Sequence, residues 1–164
     1  MNKKKEIILY EINELPEIIL NRFKKIYKPF NDLIEDFSIY KTINKDKVKN
    51  LSPWITWPTL HRGVNFCDHQ ISNLGQDLST INNIYPPLWE KLKSQGYSVG
   101  VYGSLHSNYL PENYKDYDFY IPDAFSPHSI CNPESLKSFQ EFQLKLSRKS
   151  GRNVSKNFMR DLPN

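Results

Sequence analysis

The sequence predicts an α/β fold with a mainly parallel sheet flanked by helices. Three observations predict it: a nearly unbroken apolar run over 6–12, a helical apolar period directly after it, and further short extended runs at 37–43, 97–104 and 118–123. Runs such as Glu6-Ile7-Ile8-Leu9-Tyr10-Glu11-Ile12 suit strands covered on both faces, as in the middle of a parallel sheet.

After that first run, Leu15, Ile18, Ile19, Phe23, Ile26 and Tyr27 follow the three-and-four spacing of an amphipathic helix. Asn13 is the expected cap, Pro16 falls in the first turn, and Pro29 is the expected stop. A short helical piece around Leu33-Ile34 and the extended run 37–43 complete a strand–helix–strand opening. Residues 44–50 are polar and read as an exposed connection. The segment Ser52 to Gly63 packs two tryptophans, two threonines and a histidine between prolines, and 65–83 reads as a long polar loop. Pro86 to Gly96 is a helix with proline at its start and Gly96 as a left-handed end. Its Leu88 and Leu92 share one face. Tyr97 to Ser104 is a buried strand whose glycines suit a close approach, and Asp118 to Asp123 is a second strand stopped by Pro122. From Pro133 an amphipathic helix carries Leu136, Phe139, Phe142 and Leu146, followed by a polar end. The expected division is 1–127 as the α/β part and 128–164 as a helical extension with a basic tail.

Composition narrows the class. Aromatic residues make up 13% of the 164, which argues against disorder throughout, and six glycines with eleven prolines exclude collagen-like repeats. Cys67 and Cys131 are too few for a disulfide scaffold or a cysteine-based zinc knuckle. No apolar run is long enough to span a bilayer, and the run after Lys3-Lys4-Lys5 is too short for a signal peptide, so the expected location is cytoplasmic. A net charge of +4 says little about partners.

In an open α/β sheet, ligands collect beyond the C-terminal ends of the strands. Three segments are expected there: 11–14, 56–63 and 103–106. In this order the chain resembles the N-terminal part of the alkaline phosphatase superfamily, which includes phosphodiesterases, nucleotide pyrophosphatases and sulfatases. The residues that carry the resemblance are Ile8 to Glu14, Pro53-Trp54-Ile55-Thr56-Trp57-Pro58 with Gly63 and His69, Leu88 to Leu92, Gly96 to Ser104, and Phe119 to Asp123. It implies an incomplete core of that type and a metal-dependent hydrolase of phosphate or sulfate esters, present as an N-terminal portion that does not turn over substrate alone. The ester would be a small molecule or glycan-linked.

Residue by residue, Thr56 matches the nucleophile of the Thr-aromatic-Pro motif, with Ser52 as the alternative. Asn13 falls where a metal-binding Asp usually sits, with Glu11 and Glu14 beside it, so the resemblance implies Asn13 and Glu11 as ligands of a divalent metal, zinc first, manganese or magnesium otherwise. Asn13 is a neutral donor where the family has a carboxylate. Arg62-Gly63 also comes closer behind Thr56 than the family's Thr-Gly does.

Plainer roles stand beside these. Glu11, Asn13 and Thr56 suit helix caps. His61, His69, His106 and His128 lack the tight spacing of a dedicated zinc site. The pair Trp54/Trp57 suits a core or pocket wall, and the stretch from Lys145 to Arg160, with six basic and no acidic residues, suits a solvated face more than a nucleic-acid surface. Gly100 and Gly103 do not form a dinucleotide loop. The competing function is a catalytically inactive α/β domain acting through a partner, and an exposed sheet edge would favour self-association.

Overall fold

The computed structural model describes residues 6–13, 15–35, 37–38, 40 and 52–148. The chain divides into two compact units, Met1–Lys45 and Asp46–Asn164, and the break falls in the polar connection.

The first unit contains α1 (Glu17–Ile26) and α2 (Lys28–Glu35). Residues 6–13 form no strand, and Ile7 and Ile8 are 89% and 91% exposed, so the expected buried strand is corrected to exposed non-strand chain. A strand needs neighbours for its ladder, and none pairs with this run among the described residues. The expected strand 37–43 falls largely outside the described residues; Phe37, Ser38 and Tyr40 lie in no strand. Helix α1 starts behind Pro16, which has no side-chain cap, and not at Asn13. Pro29 does not end a helix either. It sits in the first turn of α2, where its missing N–H costs nothing, while Tyr27 leaves the helical region and closes α1. Phe23 and Phe30 meet edge to face at 6.3 Å and hold the two helices together.

The second unit mixes helices with a parallel sheet. Its elements are α3 (Pro53–Arg62), α4 (Phe66–His69), α5 (Ser79–Ile84), α6 (Leu88–Ser94), β1 (Gly100–Tyr102), β2 (Phe119–Ile121) and α7 (Lys137–Arg148). Single 3₁₀ turns precede β2 and α7. The 65–83 segment, expected to be a loop, contains α4 and the start of α5, because short polar helices leave little apolar period to read.

Strands β1 and β2 pair in parallel, with Val101 opposite Tyr120. A side chain on Gly100 would run into the Phe119 ring across the ladder, so only glycine fits there. Trp89, Val99, Val101, Tyr117 and Tyr120 form the core, with Leu92, Leu110 and Tyr114 against it. Trp89 is the residue α6 buries; Leu88, read as sharing a face with Leu92, is 41% exposed. Gly96, at φ 81°, provides the expected left-handed exit. Helix α7 buries Gln140 and Leu144 and ties the segment after 128 to the strand-end loop before it. Gln140 Nε2 donates to the Asp123 carbonyl at 3.4 Å, and Ser147 Oγ donates to that of Ala124.

Candidate functional site

The N-terminal end of α3 carries both hydroxyls considered as nucleophiles. Ser52, not Thr56, is the N-cap: its Oγ accepts from the Trp54 N–H at 3.3 Å. Thr56 lies one turn inside the helix, half-buried, and its Oγ1 donates to the Ser52 carbonyl at 3.2 Å. Gly63, at φ 69°, closes the helix.

Pro58 lies inside α3 and has no N–H, so the carbonyl four residues earlier, on Trp54, loses its helical donor. His106 fills that gap. Its Nε2 is 3.2 Å from the Trp54 carbonyl, and because a carbonyl only accepts, Nε2 carries the proton. Burial leaves His106 4% exposed and pulls its pKa down to about 4, against the raising effect of that hydrogen bond. The imidazole is therefore neutral at physiological pH. Its backbone has φ 67°, a left-handed conformation uncommon outside glycine. The Trp54 ring also stands edge-on to Phe125 at 5.3 Å. One helical turn is thus pinned between the loop leaving β1, through His106, and the loop leaving β2, through Phe125.

Those two loops are bonded to each other. The Asp123 carboxylate accepts from the N–H of Phe125 at 2.8 Å and of Asn108 at 3.2 Å, and the Asp123 N–H donates to Ser107 Oγ at 3.0 Å. Asp123 is 1% exposed, and burial pushes its carboxyl above the usual range while these N–H groups pull it back. A cavity of about 460 Å³ opens beside the pair, with Asn108 and Phe125 in its wall. Sequence reasoning passed over Asp123 as a functional carboxylate, although it ends a strand where parallel sheets collect ligands.

The far end of α3 is anchored as well. Arg62 is 3% exposed, donates to Asn82 Oδ1 at 2.8 Å and to the Tyr85 carbonyl, and has its pKa lowered to about 10 by burial, with Glu90 opposing. The other histidines have structural settings. His69 accepts from the Ile71 N–H through Nδ1 at 3.0 Å, so its Nε2–H faces Thr59 Oγ1 at 2.9 Å, and that hydroxyl donates on to Ile55. His61 stacks on Trp57 and meets the edge of Trp89. His128 pairs with Ser126. Trp54 and Trp57 are half-buried, as wall residues are. Cys67 is exposed and Cys131 buried, and both are free thiols.

Glu11, half-buried, and Asn13, exposed, belong to the first unit, whereas Ser52 and Thr56 belong to the second. One carboxylate and one neutral amide fall short of the four ligands zinc takes. Among the described residues, no three His, Cys, Asp or Glu side chains gather to hold a metal ion, so this donor set alone does not fit one. Among the same residues no helix is long and apolar enough to cross a membrane. Comparison with known proteins finds no matching family model, no matching curated protein and no matching solved structure.

Proposed function

We propose that this chain carries the nucleophile-bearing part of a hydrolase of phosphate or sulfate esters, of the alkaline phosphatase superfamily type, working with a divalent metal, zinc first. The observation that supports this reading is the placement of Ser52 at the cap, and of Thr56 one turn inside, of a helix held against the loops that leave two parallel strands. The positive dipole end of the helix favours an arriving phosphate or sulfate, while Pro53 has no N–H and those of Trp54, Ile55 and Thr56 are bonded to Ser52. Thr56 Oγ1 would attack phosphorus or sulfur while the ester bond to the leaving alcohol breaks, and the hydroxyl proton leaves with that alcohol. Water then cleaves the threonyl ester and regenerates the hydroxyl. No step is routed through the metal.

The test is release of nitrophenolate from bis(4-nitrophenyl) phosphate with added zinc or manganese, on this chain and on the chain joined to whatever follows it in its gene. Release is expected in one of these forms, with Thr56→Ala lowering it about 100-fold or more. Activity that survives Thr56→Ala and Ser52→Ala alike overturns the nucleophile. The second reading, a non-catalytic domain that acts by binding a partner, draws on exposed Ile18, Phe23 and Ile26 of α1 and gains if neither form releases nitrophenolate.

A further inference from the structure

A groove of about 640 Å³ runs along α7, walled on its other side by the loop 127–130. The α7 wall carries Lys137, Glu141, Leu144, Lys145 and Arg148, spaced by three and four residues so that they share one helical face. Of the lining side chains three are cationic and one is a carboxylate.

Arg148 is held in place from one side only. Its Nη2 donates to the carbonyls of Ser126 at 3.4 Å and Pro127 at 3.2 Å. A guanidinium has five N–H donors in a planar fork, so the rest of the fork has no protein acceptor among the described residues. Lys137 likewise makes no hydrogen bond or ion pair there. Glu141 is engaged across the groove, accepting from Ser129 Oγ at 3.4 Å. Leu144, on the same wall, is buried, and Ile130, on the opposite one, is 47% exposed. The groove therefore offers an oriented fork, the Lys137 ammonium and an apolar contact.

We propose that this groove binds a small organic phosphate. A phosphate-monoester dianion matches the cationic lining, its oxygens match the fork of Arg148, and Lys137 supplies a point charge. The organic part lies against Leu144 and Ile130. The site is separate from the first turn of α3 and does not depend on the ester-hydrolase reading.

Calorimetric titration of the full chain tests it with phenyl phosphate as probe, inorganic phosphate as the same head without the apolar part, and phenol as the apolar part alone. Phenyl phosphate should bind at least about tenfold tighter than either. Arg148→Gln and Lys137→Gln should each weaken it by roughly tenfold, with the far-ultraviolet spectrum unchanged, and Glu141→Gln should tighten it about threefold. Lys25→Gln, in the first unit, is the control for charge alone and should change nothing. Equal weakening by Lys25→Gln, or equal affinity for inorganic phosphate and phenyl phosphate, overturns the proposal. So does a single-stranded oligonucleotide that binds with a steep salt dependence and is not displaced by phenyl phosphate, which would mark a nucleic-acid surface.

Discussion

The two units handle the same kind of apolar period in opposite ways. In Met1–Lys45 no described residue is buried, and Ile18 and Ile26 of a well-patterned helix are 75% and 72% exposed. In Asp46–Asn164 two three-residue strands suffice to bury Val101 and Tyr120, because α6 and the aromatic residues around β2 close over them. Amphipathic spacing states which face would be buried; burial itself requires another element on that face. Among the described residues, the two helices of that unit enclose no buried core between themselves.

The sharpest way to break the comparison is a pair of truncations. Tyr120→Ala removes a fully buried ring and the hydroxyl that donates to the Ser107 carbonyl at 3.0 Å, and should cost roughly 3–5 kcal/mol in urea unfolding. Ile8→Ala in the first unit should stay within about 0.5 kcal/mol. Equal effects would mean that Ile8 is covered in solution.

Titration sharpens it next. His106 has its folded pKa lowered to about 4, below the ordinary value of 6.5. Above pH 6.5 neither the folded nor the unfolded state carries the proton. As pH falls from 6.5 towards 4 the unfolded chain takes it up first, so stability is lost with acid, by about 3 kcal/mol at most. Asp123 acts in the opposite sense, because a carboxyl raised by burial favours the folded state as acid protonates it. Thermal melts of the parent and of His106→Gln between pH 7 and 4.5 check this, and the variant should show the flatter profile. An unchanged slope would mean that the imidazole is solvated.

The smallest contrast concerns local bonds. Ser52→Ala removes the cap of α3 and should cost about 1 kcal/mol. Lys28→Ala removes the exposed ion pair with Asp32 on α2 and should cost at most about 0.5 kcal/mol.

Much of the second unit is readable from local chemistry. Gly96 after α6, the two strands in shortened form, and the helix after Pro133 follow from turn residues and apolar spacing, although α7 buries Gln140 and Leu144 in place of Leu136, Phe139, Phe142 and Leu146. The strand expected at 6–12 fails for a different reason: Ile7-Ile8-Leu9-Tyr10 has the composition of a buried strand, but pairing is a property of two segments. At the candidate site, the hydroxyls of Ser52 and Thr56 are visible in the sequence, while the cap role expected of Thr56 falls to Ser52. Trp54, two residues on, supplies the N–H that makes Ser52 the cap, and Thr56 falls into the helix behind it.

The division between the two levels is clearest at Pro58. By itself the sequence determines that a proline four residues after Trp54 strips the tryptophan carbonyl of its helical donor. Only the tertiary structure decides that His106, from far along the chain, supplies a replacement and stays neutral to do so. A missing donor is a local fact of covalent geometry, whereas its replacement depends on which segments the core brings into contact.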